Sequence, residues 1–226
     1  MQFDPHKNKA ALIVVDMQRY YLEAEACFYR YHQAAHPGSM DYISQRSKET
    51  VIPNISRLLT AFRSRQQPIA FLRLCGLADD RSDLHWLFRE SHLEALERGY
   101  TDLYPLQNDP FSEVVDSLRP RSEEAQIFKT TFSGFTHSSH LHDWLETVGA
   151  QTLVMTGLAT SQCVETTARD GSDRGLGVIQ IEDAQADYDE IRHRASLFSS
   201  RGVCAGLIYD TQTYLSRVFG SSNLTS

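Results

Sequence analysis

The chain has 226 residues, 41% of them hydrophobic and 23% charged, a balance typical of soluble globular proteins that excludes fibrous and disordered chains. Twenty-two Lys+Arg against 29 Asp+Glu leave a net charge of −7, and without any basic run this excludes nucleic acid as an expected partner. The longest apolar run, 10–15, is far short of the ~20 residues of a membrane span, and the first residues lack a secretory pattern, so a cytoplasmic protein with no membrane contact is expected.

In chain order, Ala11-Leu12-Ile13-Val14-Val15 reads as a buried strand ending at Asp16. Ile52, Ile55, Leu58, Leu59 and Phe62 have helical spacing from Thr50 onward, with Pro53 tolerated in the first turn. A second strand covers 68–72 and a third, shorter one 125–128, ending at Lys129. Leu141, Leu145 and Val148 mark a helix stopped by Gly149. A fourth strand over 152–155 runs into Thr156-Gly157 and a helix over 161–173. Strands over 178–181 and 203–207 follow with a helix over 192–199 between them, and Asp210 caps a last helix through Val218.

Strands this apolar are covered on both faces, and strands separated by helices pair in parallel through right-handed crossovers. The expected fold is α/β, a three-layer α/β/α arrangement around a six-stranded parallel, Rossmann-like sheet, in one domain spanning 1–226. Two stretches fit this scheme poorly, 20–47 and 76–109; segments of this length serve as lids, pocket walls or interfaces. The four cysteines (Cys27, Cys75, Cys163, Cys204) are scattered and form no CxxC, so free thiols are expected, with Cys75 and Cys204 as core filler.

Open parallel sheets bind ligands outside the carboxyl ends of their strands. Three reactive side chains fall at or just past such ends: Asp16, Lys129 and Cys163. A thiol is activated as its thiolate, favoured near a helix N-terminus or a cation, and Cys163 is expected to have both, in the turn Gly157-Leu158-Ala159-Thr160-Ser161-Gln162-Cys163 and in Lys129.

Three segments carry a resemblance: Ala11-Leu12-Ile13-Val14-Val15-Asp16-Met17-Gln18, then Phe128-Lys129-Thr130-Thr131-Phe132-Ser133-Gly134-Phe135, then Thr156 through Asp170 with Cys163 inside it. In this order and placement the chain resembles the isochorismatase-like cysteine hydrolase superfamily over about residues 10–210. The resemblance implies an Asp16–Lys129–Cys163 triad, in which Asp16 relays the thiol proton to a leaving amine, Lys129 holds the carboxylate and Cys163 forms a thioacyl enzyme. It also implies a non-proline cis peptide at Leu158–Ala159, turning the N–H of Ala159 toward that of Cys163 as an oxyanion hole.

One branch of that superfamily, the nicotinamidases, holds a divalent ion through Asp-x-His and a later His. Asp83-Leu84-His85 and His92 have the right types, but they start about nine residues beyond the expected end of the second strand at Leu74. Leu84, Leu87, Phe88, Ala95 and Leu96 also place both histidines on an amphipathic helix starting at Ser82-Asp83. No metal and no cofactor are therefore expected. His137, His140 and His142 read as surface or cap residues, and His193 as structural.

Substrate contacts are expected from Gln18, which could also orient Asp16, and from an aromatic set of Tyr20, Tyr21, Trp86, Tyr104, Phe132 and Phe135. Arg73, with Arg19 and Arg89, could grip a carboxylate. The expected activity is metal-independent hydrolysis of a C–N bond in a small carboxamide or carbamoyl/ureido compound, by a homo-oligomer (dimer or tetramer). The alternatives are vinyl ether hydrolysis as in true isochorismatases, whose resembling members lack the cysteine; a metal-dependent nicotinamidase; and a non-catalytic binding subunit. A thiol redox sensor would need a resolving cysteine nearby, and the sequence offers none.

Overall fold

A parallel sheet of β1 (Ala10–Val15), β2 (Ile69–Leu74), β3 (Ala125–Lys129), β4 (Thr152–Leu158), β5 (Gly177–Ala186) and β6 (Ile208–Tyr209) forms the centre of the molecule. The structure is a computed structural model and describes Asp4 and residues 8–204 and 207–220. The strands lie in the order β3-β2-β1-β4-β5-β6, and every neighbouring pair is parallel. The helices are α1 (Arg19–Leu22), α2 (Cys27–Ala35), α3 (Asp41–Arg46), α4 (Ile52–Ser64) and α5 (Trp86–Glu97), then α6 (Leu141–Val148), α7 (Glu165–Asp173), α8 (Glu190–Ser200) and α9 (Thr211–Phe219). The expected three-layer α/β architecture is what the chain forms.

The alternation of side chains along a strand divides β1 between two cores. Leu12 and Val14 pack with Ile55, Leu58 and Phe62 of α4 and with Tyr214 and Leu215 of α9. Ala11, Ile13 and Val15 face the opposite layer, with Leu141 and Leu145 of α6 and Ala168 of α7. All six residues of β1 are buried, and each large apolar side chain so placed contributes ~1.5–3 kcal/mol relative to exposure. No residue of β1 is polar, and the first polar side chain, Asp16, follows its end.

Elements with clear periodicity fall where the spacing puts them. α6 stops at Gly149, which takes the left-handed conformation (φ 66°) of a helix C-cap. Asp210 caps α9 by accepting from the Thr213 N–H. The differences have local causes. β5 continues past Ile181 to Ala186 although its apolar pattern stops there, because Gln185 enters the sheet and donates to the Met155 carbonyl at 3.1 Å and to Gln180 at 2.8 Å. β6 lies just beyond the expected 203–207; Ala205 and Gly206 are outside the described residues.

Residues 20–47 are helical rather than a loop, since α1, α2 and α3 pass through a π turn at Ser47–Val51 directly into α4. α5 begins at Trp86, not at Ser82-Asp83, because the Asp83 carboxylate instead accepts from the Leu77 and Ala78 N–H groups at 2.8 and 3.0 Å. Among the described residues no helix is long and apolar enough to cross a membrane.

Candidate active site

The connections after β1 and β4 diverge toward opposite edges of the sheet, so the crevice outside their carboxyl ends is the topological switch point where such sheets bind ligands. Asp16 follows β1 and Cys163 lies in the π turn Thr160–Val164 that follows β4. Lys129 ends β3, two strands from β1. Two inter-strand spacings amount to ~9–10 Å, a gap only a long side chain spans. The Lys129 Nζ reaches the Asp16 Oδ2 at 2.8 Å and the Cys163 Sγ at 3.3 Å, and donates to the Thr131 carbonyl at 3.1 Å. Relative exposure is 2% for Asp16, 0% for Lys129 and 5% for Cys163, so the three groups tune one another with little screening by water.

Burial opposes the Lys129 ammonium, but the Asp16 carboxylate and the Cys163 sulfur outweigh it and hold the group above the usual lysine range. For Cys163 the balance differs from the expectation of a depressed pKa. Burial and the adjacent Asp16 push the thiol well up, and Lys129 offsets only part of that. The sulfur therefore rests as a thiol beside a potential base rather than as a preformed thiolate.

The backbone around these groups is tightly determined. Asp16 adopts φ 50°, a left-handed conformation that Asp tolerates better than most residues, and its Oδ1 accepts from the Leu74 N–H at 3.1 Å. Gly157, opposite Val15 in the β1–β4 register, has φ 104°, and a Cβ there would collide with the Val15 carbonyl. The Leu158–Ala159 peptide is trans, contrary to expectation; the chain bends into the Thr160–Val164 turn through the torsion of Gly157 instead. Thr167, fully buried on α7, ties the two loops together. Its hydroxyl donates to the Cys163 carbonyl at 2.7 Å and accepts from the Gly134 N–H at 3.0 Å.

A cleft of about 490 Å³ is walled by Phe28, Phe88, Tyr104, Phe132, Tyr188 and Gln162; no side chain of the triad lines it, and Gln162, the residue before Cys163, links it to that turn. Its rings interlock, with Phe88–Phe132 centroids 4.4 Å apart and Phe88–Tyr104 centroids 5.2 Å apart. His32, at 4.3 Å from the Phe28 ring, and Arg192 also line it, beside Asp189. Burial lowers the His32 pKa to about 4, so this imidazole is neutral near pH 7.

Of the aromatic residues expected to face a substrate, Tyr104 and Phe132 line this cleft. Tyr21 stands behind it, its hydroxyl donating to that of Tyr188. Tyr20 packs edge-on to Tyr21, Phe28 and Tyr104, and its buried hydroxyl has no partner.

The remaining expected contacts are corrected by the structure. Trp86 is 67% exposed at the start of α5. Phe135 packs against Gly171 and under the Arg174 guanidinium, lining a separate cavity. Gln18 spends its amide on the protein: Oε1 accepts from the Leu74 N–H, and Nε2 donates to the Leu74 and Ser112 carbonyls. It reaches Asp16 only through that shared Leu74 N–H. Arg73 donates to Ser112, Gln107 and Gln126 and stacks on Phe128, which fixes the loop ending at Ser112 to β2. Arg19 pairs with Glu23, and Arg89 is exposed on α5.

Sequence reasoning did not single out Phe28, His32, Phe88, Gln162, Tyr188 or Arg192 as wall residues. Gln162 and Tyr188 stand next to strand-end features and could have been found that way; the α2 and α5 residues carry no local signal.

The residues of the Asp-x-His pattern do not converge. Asp83 is engaged with backbone N–H groups, His85 accepts from the Leu87 N–H as the cap of α5, and His92 is buried on the same helix. Among the described residues, no group of three His, Cys, Asp or Glu side chains could hold a metal ion, so these residues do not fit a nicotinamidase-type centre. His140 and His142 sit on the exposed face of α6 beside Asp143 and Glu146, and His137 is exposed. His193 is buried between Thr160 and Arg46.

A family model described as "Isochorismatase domain" matches residues 10–212. The chain is 28% identical over 229 aligned positions to a ureidoacrylate amidohydrolase of Yersinia enterocolitica, covering 96% of this chain and 93% of that one. It is 36% identical to the ureidoacrylate amidohydrolase of Acinetobacter baylyi over 105 residues, 46% of this chain but only 42% of that relative's length. A cysteine hydrolase structure from Pseudomonas syringae pv. phaseolicola superimposes with a TM-score of 0.72 at 26% identity, covering 97% of this chain and 95% of that one.

Proposed function

The chain belongs to the isochorismatase domain family, and on that premise we propose that it is a cysteine hydrolase cleaving a C–N bond of a small carboxamide or carbamoyl/ureido compound. The observation that carries this reading is the single ammonium of Lys129 bridging the Asp16 carboxylate and the Cys163 sulfur inside a buried crevice. Similarity to ureidoacrylate amidohydrolases supports the amide-type substrate.

The substrate carbonyl lies over Cys163. As Sγ attacks the carbonyl carbon, the thiol proton passes to Asp16 and the C=O electron pair moves to oxygen. The Cys163 N–H receives that oxyanion, a contribution commonly worth ~3 kcal/mol; the Ala159 N–H, expected to turn inward through a cis peptide, follows a trans one. The tetrahedral centre collapses by breaking the C–N bond, and Asp16 returns its proton to the departing nitrogen. Water then attacks the thioester with Asp16 as base, the C–S bond breaks, and the thiol is regenerated. Lys129, bonded to both Asp16 and Cys163, compensates negative charge as it develops on sulfur. The high resting thiol pKa accords with this order, because Asp16 removes the proton only during attack.

A panel of carboxamides and ureido compounds, assayed for ammonia release, tests the reading. The wild-type protein is expected to turn over at least one class, and Cys163→Ala to lose that turnover; full activity in Cys163→Ala would overturn it. Turnover is expected to survive exhaustive chelation, and loss restored by zinc would contradict the metal-independent scheme. Cytosolic action and assembly as a dimer or tetramer belong to the same proposal. The exposed Leu93, Leu96, Ile191 and Phe198 offer apolar surface for assembly, and a monomeric sedimentation profile would count against it.

A further inference from the structure

The π turn that carries Cys163 has no cap of its own. A helix start leaves backbone N–H groups unsatisfied, and the residue at the cap position is Ala159, whose methyl group accepts nothing. In the sheet register Leu158 pairs with Ala186, so the next residue of each strand, Ala159 and Asp187, leaves the sheet at the same level. Asp187 is fully buried. Its Oδ2 accepts from the Ser161 N–H at 2.6 Å and its Oδ1 from the Tyr188 N–H at 2.8 Å.

One carboxylate thus holds the nucleophile turn, two residues before Cys163, and the cleft-wall residue Tyr188. The Tyr188 ring lines the cleft, and its hydroxyl is held by Tyr21. Nothing in the proton relay uses Asp187. The register irregularity between Met155 and Gly157, where β5 gains residues relative to β4, brings Asp187 to this level; without it a different side chain would face the turn.

We propose that Asp187 is a positioning residue: a cap supplied in trans from β5 that sets the nucleophile turn, and with it the Cys163 sulfur and N–H, in register with the cleft wall at Tyr188. The consequence for hydrolysis rests on the reading of Cys163 as nucleophile; the capping itself does not. Misplacing a reacting group by about 1 Å costs roughly 10²-fold in rate, and substrate affinity, set by a wall of which Asp187 holds only Tyr188, changes much less.

Two measurements on the full chain separate these points. Hydrogen exchange of the peptide covering 159–164 in Asp187→Ala is expected to accelerate at least tenfold while the peptides of β1 and α4 keep their wild-type rates. In steady-state assays Asp187→Ala is expected to lose on the order of 10²-fold in kcat with KM within about threefold, because orientation and not binding is disturbed. Asp187→Asn, which retains an acceptor for the Ser161 N–H, is expected to recover most of both effects and serves as the folded variant should Ala fail to fold. Unchanged exchange in the 159–164 peptide, or faster exchange with wild-type kcat, would overturn the proposal. An equal fall of kcat and rise of KM in both variants would do so too. Full activity of Cys163→Ala would remove the hydrolytic reading while leaving the exchange result to decide the capping.

Discussion

The floor of the site and its wall are built on opposite principles. The floor is made of strand ends: Asp16, Lys129 and Cys163 are anchored by sheet register, buried, and bonded to one another or to backbone. The wall comes from α2, α5 and the segments between strands, and its Phe28, Phe88, Tyr104 and Phe132 rings hold one another by edge-on and tilted contacts. On the proposed reading a rigid floor fixes where charge develops; a wall of interlocking rings can change its shape by single substitutions without disturbing that floor. Arg73 and Lys129 sharpen the point. Both are cations on neighbouring strands, yet Arg73 donates to loop backbone and side chains while Lys129 gives two of its three donors to Asp16 and Cys163.

The largest effect is expected on the floor. Lys129→Met leaves Asp16 buried beside the thiol without its cation, and loss of one partner of a buried pair costs about 3–5 kcal/mol in stability. Turnover is expected to fall at least 10³-fold, measured by ammonia release alongside a denaturant titration. Near-normal turnover in a folded variant would erase the distinction between floor and wall.

Next comes the wall. Phe132→Ala is expected to raise KM about tenfold, near 1.4 kcal/mol of lost uniform binding, with kcat within a few-fold of wild type. A kcat loss as large as that of Lys129→Met would mean that the wall takes part in the chemistry.

Arg73→Met is expected to cost about 1–3 kcal/mol in stability through the guanidinium bonds lost at Ser112, Gln107 and Gln126, visible as a lower urea midpoint, with KM changed less than twofold. A large KM effect would restore Arg73 as a substrate contact.

His193 gives a pH test. Burial and Arg46 hold its pKa down to about 4, below the ~6.5 of an unfolded histidine. The unfolded chain therefore binds more protons between those values, so this contribution to stability is present above pH 6.5 and is lost as pH falls toward 4. The pH dependence of the urea midpoint is expected to flatten over that window in His193→Gln, and an unchanged slope would contradict it. The smallest effect belongs to Trp86→Ala, expected within about 0.5 kcal/mol of wild type in stability as an exposed side chain.

The sequence was informative where physics is local. An apolar run that ends on an acid, a lysine or a loop with cysteine marks a strand end, and strand ends converge in a parallel sheet; that is why Asp16, Lys129 and Cys163 were legible together. The wall was half legible. Tyr104 and Phe132 were found because they are aromatic and near the right elements, but Phe135 and Trp86 are equally aromatic and face elsewhere, since a side chain's direction from a loop or helix end depends on tertiary packing. Gln18 and Arg73 were misread for a related reason: a long polar side chain near a site is as able to hold backbone as to hold substrate. The thiol pKa was missed because proximity to an ammonium was visible in the sequence, whereas complete burial against a carboxylate was not.

The most direct test of covalent catalysis is rapid-quench mass spectrometry of the protein during turnover of an amide or ureido substrate. The account predicts a transient acyl adduct on the peptide containing Cys163, formed as ammonia or amine is released and cleared as the acid appears, and absent from Cys163→Ala. Product formation at the wild-type rate by Cys163→Ala, or an adduct seated on another residue, would contradict it.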